Sequence, residues 1–352
     1  MKKLIVLFIA IAFLSACNDF SQSGKEENKK VTITAAGATF PMPFYNMVFK
    51  NYTKSTGILL TYGGIGSGGG IRSLKDKIVD FGATDAFLSD EKIKSMPAEI
   101  VHIPTCLGAV VIAYNLPDVK GIKLTNDLLE GIFMGKITKW NDEKIKANNP
   151  DINFPDKDIT VVHRSDGSGT TYIFSDFMSK VSDVWKTEVG KGKSLKWPCG
   201  IGAKGNPGVA GTIKQTPGTI GYIGSEYAFA QKIPVALLQN IAGNYIEPNV
   251  ESISAAAKTD IPDDTRVMLT NSADPEAYPI SGFTWIILYK DQDYDGRSKN
   301  QAMETVKFLD WLISKDAQDV TKKVHYSPLP ETTVEKAKQI LRTVNYGGEK
   351  LL

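Results

Sequence analysis

The sequence predicts an α/β protein in two lobes, each built on a largely parallel sheet. Strand-like and helix-like segments alternate from residue 31 onward. Polar turns rich in Gly and Ser close several of the strands, where ligands of open α/β sheets bind. The chain of 352 residues is 42% apolar, enough for a core and too long for one compact lobe.

In order, Val31 to Ala35 is a strand, and Pro43 to Ser55 a helix with Phe44, Met47, Val48 and Tyr52 on one face. A strand from Ile58 to Tyr62, a short helix from Ile71 to Lys77 and a strand from Val79 to Ala83 follow. Cys106 to Tyr114 is a long apolar strand, and Thr125 caps a helix through Phe133. The β-branched run from Thr160 leads into a Gly/Ser turn. The helix from Thr170 to Lys180 carries Tyr172, Phe174, Phe177 and Met178. Thr219 to Ile223 and Phe283 to Tyr289 are strands. Glu226 to Gln231, Lys299 to Ser314 and Glu331 to Val344 are helices. No internal repeat is visible.

The first residues read as an address. Met1-Lys2-Lys3 is basic, Leu4 to Leu14 is almost wholly apolar, and Leu14-Ser15-Ala16-Cys17 follows. The apolar run is too short for a permanent span, so residues 1–16 are expected to be a cleaved export signal. The Leu-Ser-Ala-Cys ending resembles a bacterial lipobox, which makes Cys17 the acylated first residue of a protein held at the outer face of a membrane. Residues 17–30 are polar and read as a flexible tether.

Composition narrows the partners. The chain has 41 Lys+Arg and 39 Asp+Glu, and removing Lys2 and Lys3 leaves 39 against 39. A neutral protein offers no basic field for nucleic acid, so an anion must be caught by local donors. Of 3 Cys, Cys17 is assigned to lipid; Cys106 and Cys199 could pair, but spacing does not show whether they meet. The 3 His are scattered without metal-ligand spacing, so no zinc site is expected.

The most informative segment is His163-Arg164-Ser165-Asp166-Gly167-Ser168-Gly169-Thr170-Thr171. A helix that opens here leaves its first N–H groups without partners at the positive end of its dipole, where an anion fits. Ser168 and Thr170 add hydroxyls, Arg164 a planar fork, and Asp166 stands close enough to hold that fork in place. Three more such turns follow earlier strands: Ala36-Gly37-Ala38-Thr39-Phe40-Pro41, Gly63-Gly64-Ile65-Gly66-Ser67-Gly68-Gly69-Gly70 and Phe81-Gly82-Ala83-Thr84-Asp85. All four can line one crevice.

Two enzyme readings compete. Gly64-Ile65-Gly66-Ser67-Gly68-Gly69 matches G-x-G-x-x-G, with Asp85 placed like a ribose-binding acid, as in NAD-dependent enzymes. An export signal argues against a nicotinamide cofactor, and Arg164 to Thr170 would go unexplained. A phosphoester hydrolase is the second reading. The turns at Ser67 and Ser168 miss G-x-S-x-G, because Ile65 and Asp166 stand at the first glycine. Asp291-Gln292-Asp293-Tyr294-Asp295-Gly296 imitates an EF-hand start, but Ala302 occupies the position of the required Glu, and a solvated turn is expected.

These segments resemble the signature stretches of the phosphate-binding proteins of Pst-type ABC transporters. The likeness extends through Thr138-Lys139-Trp140-Asn141, Lys196-Trp197-Pro198, Gly205-Asn206-Pro207-Gly208-Val209-Ala210, Gln215-Thr216-Pro217-Gly218-Thr219-Ile220-Gly221-Tyr222 and Tyr326-Ser327-Pro328-Leu329-Pro330, nearly the whole mature chain. The resemblance implies a type II periplasmic-binding fold, hinged and two-lobed, that closes on inorganic phosphate and delivers it to an ABC permease as a monomer, without cofactor, metal or catalysis. The family's ligand positions carry over to Thr39, Phe40 through its N–H, Ser67, Asp85, Arg164, Ser168, Gly169 and Thr170. Cys106, Cys199 and the stretch from Asp291 to Lys299 depart from the pattern. Phosphate keeps a proton near neutral pH, which Asp85 can accept and sulfate cannot supply. Lobe I is expected to hold 31–105 and 281–352, lobe II 106–280, with crossings near Cys106 and Tyr278-Pro279-Ile280.

Overall fold

The computed structural model describes residues 31–352, so the expected signal, Cys17 and the tether lie outside the described residues. Eight strands make one sheet: β1 (Thr32–Gly37), β2 (Leu59–Gly64), β3 (Phe81–Thr84), β4 (Ile100–Tyr114), β5 (Thr160–Arg164), β6 (Ile201–Ala203), β7 (Thr219–Gly224) and β8 (Ser281–Tyr289). Their spatial order is β2-β1-β3-β8-β4-β7-β5-β6. The triplets β2-β1-β3 and β7-β5-β6 are each parallel. Antiparallel pairs sit in the middle, where β8 meets β3 and β4, and β4 meets β7. The sheet is therefore mixed overall, and the parallel expectation holds within each outer half.

The long strand β4 belongs to both halves. Ile100 to Ala109 pairs with β8, and Val110 to Tyr114 pairs with β7. The return crossing meets the same point: Val110 N–H donates to Ile280 O at 2.8 Å, and Ser281 pairs with Ala109. The strand starts at Ile100, six residues before the sequence expectation. Pro104 interrupts the apolar run there. The register shifts between Thr284 and Trp285, which oppose Cys106 and Pro104, so Thr105 is the extra residue of a bulge, a position that tolerates proline in a central strand.

The principal helices are α1 (Met42–Thr56), α2 (Ser67–Lys75), α3 (Asn126–Phe133), α4 (Gly169–Val181), α5 (Gly205–Gln215), α6 (Ser225–Gln231), α7 (Lys299–Leu312) and α8 (Glu331–Leu341). Helix α2 begins four residues before the expected start, because its glycines form the first turn. A β-carbon at Gly70 would stand 2.5 Å from Gly37 Cα, so α2 can lie this close to β1 only without one. Helix α5 was not expected from its Gly-Asn-Pro-Gly start. Pro207 stands in its first turn, where no intrahelical acceptor is needed.

Phe44, Phe81, Phe308 and Tyr45 are fully buried between β1–β3 and helices α1 and α7. Each contributes about 1.5–3 kcal/mol by leaving water. Phe81 and Phe308 stack at 6.0 Å. Cys106 is buried in β4, Cys199 is half-buried beside α3, and both are free thiols. The Asp291 stretch is a turn: Asp291 Oδ1 accepts from the N–H groups of Asp293 and Gly347. Among the described residues no helix is long and apolar enough to cross a membrane.

Candidate functional site

The eight predicted ligand positions converge between the two halves of the sheet. Thr39 and Phe40 follow β1, Ser67 opens α2, and Asp85 follows β3. Across the cleft, Arg164 ends β5, and Ser168, Gly169 and Thr170 begin α4. Thr39, Ser67, Asp85, Arg164, Ser168 and Thr170 are all buried polar residues, at most 4% exposed. Burying so many polar groups is costly unless each is paired or serves a ligand.

The halves touch. Gly68 N–H donates to Gly167 O at 2.8 Å, and the Tyr227 hydroxyl of α6 donates to Thr39 O. A β-carbon on Gly66 would lie 2.5 Å from Asp166 Oδ2, and Gly66 holds a φ of +83° at the start of α2. The loop from Asp166 to Gly167 thus covers the glycine turn that a dinucleotide pyrophosphate would need. The NAD reading of Gly64 to Gly69 has no room here.

Asp85 dominates the chemistry. Its Oδ1 accepts from the Thr284 hydroxyl at 2.7 Å, and its own N–H donates to Ser67 Oγ at 3.3 Å. The antiparallel register of β8 on β3, in which Trp285 pairs with Thr84, sets Thr284 opposite Asp85 one residue further on. Asp85 Oδ2 is buried and has no hydrogen-bond partner. Burial pushes this carboxyl from 3.8 up to about 7, against the lowering pull of the Thr284 hydroxyl and the Arg164 charge.

The other predicted positions carry proton donors: hydroxyls, backbone N–H groups and the Arg164 guanidinium. Arg164 is 4% exposed, and Asp166 grips it in bidentate fashion, Nε to Oδ1 at 2.7 Å and Nη2 to Oδ2 at 2.5 Å. Burial raises the Asp166 carboxyl, but the Arg164 fork and the Gly205 N–H outweigh it and hold it below the usual range. Arg164 Nη1 reaches Thr170 Oγ1 at 3.4 Å. Ser168 caps α4 by accepting the Thr171 N–H at 3.0 Å. Among the described residues, no protein acceptor takes the N–H of Phe40, Gly169 or Thr170. The last two stand at the positive end of the α4 dipole.

Two residues of this neighbourhood escaped the sequence reading. Asn206, in the first turn of α5, is fully buried and hydrogen-bonds both Thr39 and Thr170. Lys193 extends over the Tyr172 ring, with Nζ 5.2 Å from its centroid. Burial pulls this ammonium down to about 8, although the Asp85 charge raises it. Asn206 sits in the Gly-Asn-Pro-Gly start of α5, which stood out only as part of the family likeness, and Lys193 follows Gly190 and Gly192 in a loop that closes no strand.

No histidine serves a site hydroxyl among the described residues. His102 Nε2 accepts from Leu88 N–H at 3.1 Å, His163 stacks on Trp197 at 4.6 Å, and His325 packs on Phe229. Histidine is therefore not the base that would activate Ser67 or Ser168 as a nucleophile.

An enclosed polar cage between two α/β halves defines a two-lobed solute-binding protein. The model of the PBP superfamily domain matches residues 23–316. The phosphate-binding protein PstS of Haemophilus influenzae is 41% identical over 319 residues, covering 89% of this chain and 93% of that protein. PstS of Methanocaldococcus jannaschii is 36% identical over 365 residues, covering 97% and 93%. The chain belongs to the PstS family of the PBP superfamily. The same fold occurs in a crystal structure of an ancestral soluble variant of the human phosphate binding protein, with TM-score 0.72, 20% identity and coverage of 88% and 93%. A putative phosphate ABC transporter substrate-binding protein from Clostridium perfringens, with bound phosphate, superposes with TM-score 0.62 at 18% identity, covering 85% and 100%.

Proposed function

We propose that this protein binds inorganic phosphate between its halves and delivers it to an ABC permease for import. The unpartnered, buried Asp85 Oδ2 carries the reading. It is an acceptor in a cage of donors, so it suits a tetrahedral oxyanion that still holds a proton. Thr39, Ser67, Ser168 and Thr170 supply hydroxyls, Phe40, Gly169 and Thr170 supply N–H groups, and Arg164, oriented by Asp166, supplies positive charge. A fully ionised sulfate would set a lone pair against the Asp85 carboxylate. A site built to pair a ligand O–H rejects the analogue lacking it by about 10⁴-fold or more.

Lobe I comprises 31–105 and 281–352 and lobe II 106–280. The hinge lies where β4 changes partner, between Cys106 and Val110, and at Tyr278 to Ile280. The change of pairing at Ala109 and Val110 supports this division. Phosphate favours the closed form through contacts that need both halves, and the permease recognises that form. The protein acts as a monomer and a carrier, without catalysis. Residues 1–16 direct export, acylated Cys17 anchors the chain on the outer face of the membrane, and residues 17–30 let the receptor reach its permease.

Calorimetric titration of the purified protein with phosphate and with sulfate tests the reading. Tight phosphate binding with sulfate excluded is expected; equal affinity for the two ions would overturn it.

A further inference from the structure

Asn206 is fully buried and touches both sides of the cleft. Its Oδ1 accepts from Gly224 N–H at 3.0 Å. A backbone N–H can only donate, so this contact fixes the sense of the amide and turns Nδ2 toward the cage. There Nδ2 donates to Thr39 Oγ1 at 3.1 Å and to Thr170 Oγ1 at 3.0 Å. The Asn206 N–H donates to Thr39 Oγ1 as well, at 3.1 Å, and Arg164 Nη1 adds its bond to Thr170 Oγ1 at 3.4 Å.

A threonine oxygen has two lone pairs and one proton. Each of these two oxygens already accepts from two protein donors. Only the proton remains uncommitted, so each hydroxyl can meet a ligand only as a donor. We propose that Asn206 is a positioning residue that commits Thr39 and Thr170 to donating, so that neither hydroxyl competes with Asp85 Oδ2 for a ligand proton. Thr39 rides on the turn after β1 and Asn206 on α5, so the commitment of Thr39 is made only when the halves meet. Closure and the sense of the hydroxyls are thereby one event. This inference rests on the phosphate reading above.

Phosphate and sulfate titrations of the full protein, of Asn206→Ala and of Asn206→Asp, each checked for native melting, give the first test. The Asp variant offers an acceptor in place of a donor and draws both hydroxyl protons away from the ligand, so phosphate affinity falls about 100-fold or more. The Ala variant frees one lone pair on each threonine and loses about tenfold. The decisive measurement repeats Asn206→Ala in a chain carrying Thr39→Val and Thr170→Val. If Asn206 acts through the two hydroxyls, its removal then changes affinity less than twofold. If it merely braces α5 against Gly224, the tenfold loss persists and the inference falls. Native protein that fails to bind phosphate overturns the functional reading and this inference with it, whereas native binding with additive losses overturns this inference alone.

Discussion

Asp85 and Gly169 face each other across the cleft with no space for another carbon: a β-carbon on Gly169 would stand 2.6 Å from Asp85 Oδ2 and 2.7 Å from Asp85 Cβ. Gly169 is the first residue of α4, so its N–H and the Asp85 carboxylate border the same small volume from opposite halves. Gly169→Ala puts a methyl group there. In an ordinary helix that change is favourable by up to about 1 kcal/mol. Here it holds the halves apart. Phosphate affinity is expected to fall more than tenfold by calorimetry while the melting temperature without phosphate does not fall. Unchanged affinity would mean the halves need not close at this point.

Asp85 also ties stability to pH. Burial makes the folded protein hold a proton that the unfolded chain releases, since the carboxyl sits at about 7 instead of 3.8. Stability without ligand is therefore greatest below the lower value, declines as pH rises between the two, and levels off above the higher one. The span corresponds to on the order of 4 kcal/mol at about 1.4 kcal/mol per pH step. Asp85→Asn abolishes that slope, so urea unfolding should show the variant gaining on the native protein between pH 5 and pH 8. The same variant should lose its preference for phosphate over sulfate. A retained preference would assign the discrimination elsewhere.

Arg164 contributes both charge and shape. Arg164→Lys keeps the charge but cannot span Asp166 and the ligand with one planar fork, so phosphate affinity should drop about tenfold. Arg164→Ala should cost about 1.5–3 kcal/mol, the range for hydrogen bonds to a charged group. The Ala variant also leaves burial of Asp166 opposed only by the Gly205 N–H and its own backbone N–H, so its carboxyl should rise from below the usual range. Titrating Asp166 by NMR checks this. Equal affinity of the Lys variant and the native protein would reduce Arg164 to a point charge.

The glycine-rich turns after β1, β2, β3 and β5 made the cage legible in the sequence, because short polar turns at strand ends converge in any open α/β sheet. Local chemistry decides such turns, and local chemistry is what a sequence displays. Asn206 was not legible: its role depends on Gly224, Thr39 and Thr170, brought together only by tertiary folding. The early start of β4 hid behind Pro104, which reads as a strand breaker until the bulge at Thr105 supplies a reason for it. The mixed middle of the sheet was equally hidden, since β8 reaches it after a long excursion through the other half. Helix α2 began early because contact with β1, and not helix propensity, selects its glycines.

Asp80 and Arg297 form a buried ion pair beside β1 and β3, with side chains 7% and 8% exposed. Asp80 also accepts from Thr34 N–H at 2.6 Å, the Thr34 hydroxyl at 3.0 Å and Gln301 Nε2 at 3.1 Å, while Arg297 donates to Thr305 Oγ1 at 2.7 Å. The network clamps β1, the residue before β3, and α7. Burial pulls Arg297 down to about 10, against the raising effect of the Tyr346 hydroxyl. Asp80→Ala leaves that guanidinium buried and unpaired, so unfolding free energy should drop by about 3–5 kcal/mol. Asp80 bonds none of the cage residues, so phosphate affinity of the folded variant should stay within about twofold of native, and saturating phosphate should restore part of the lost melting temperature. Replacing Arg297 by Leu in the same chain removes the stranded charge and should recover part of the loss. A tenfold fall in phosphate affinity with little loss of stability would instead make Asp80 part of the binding machinery, acting through β3 on Asp85.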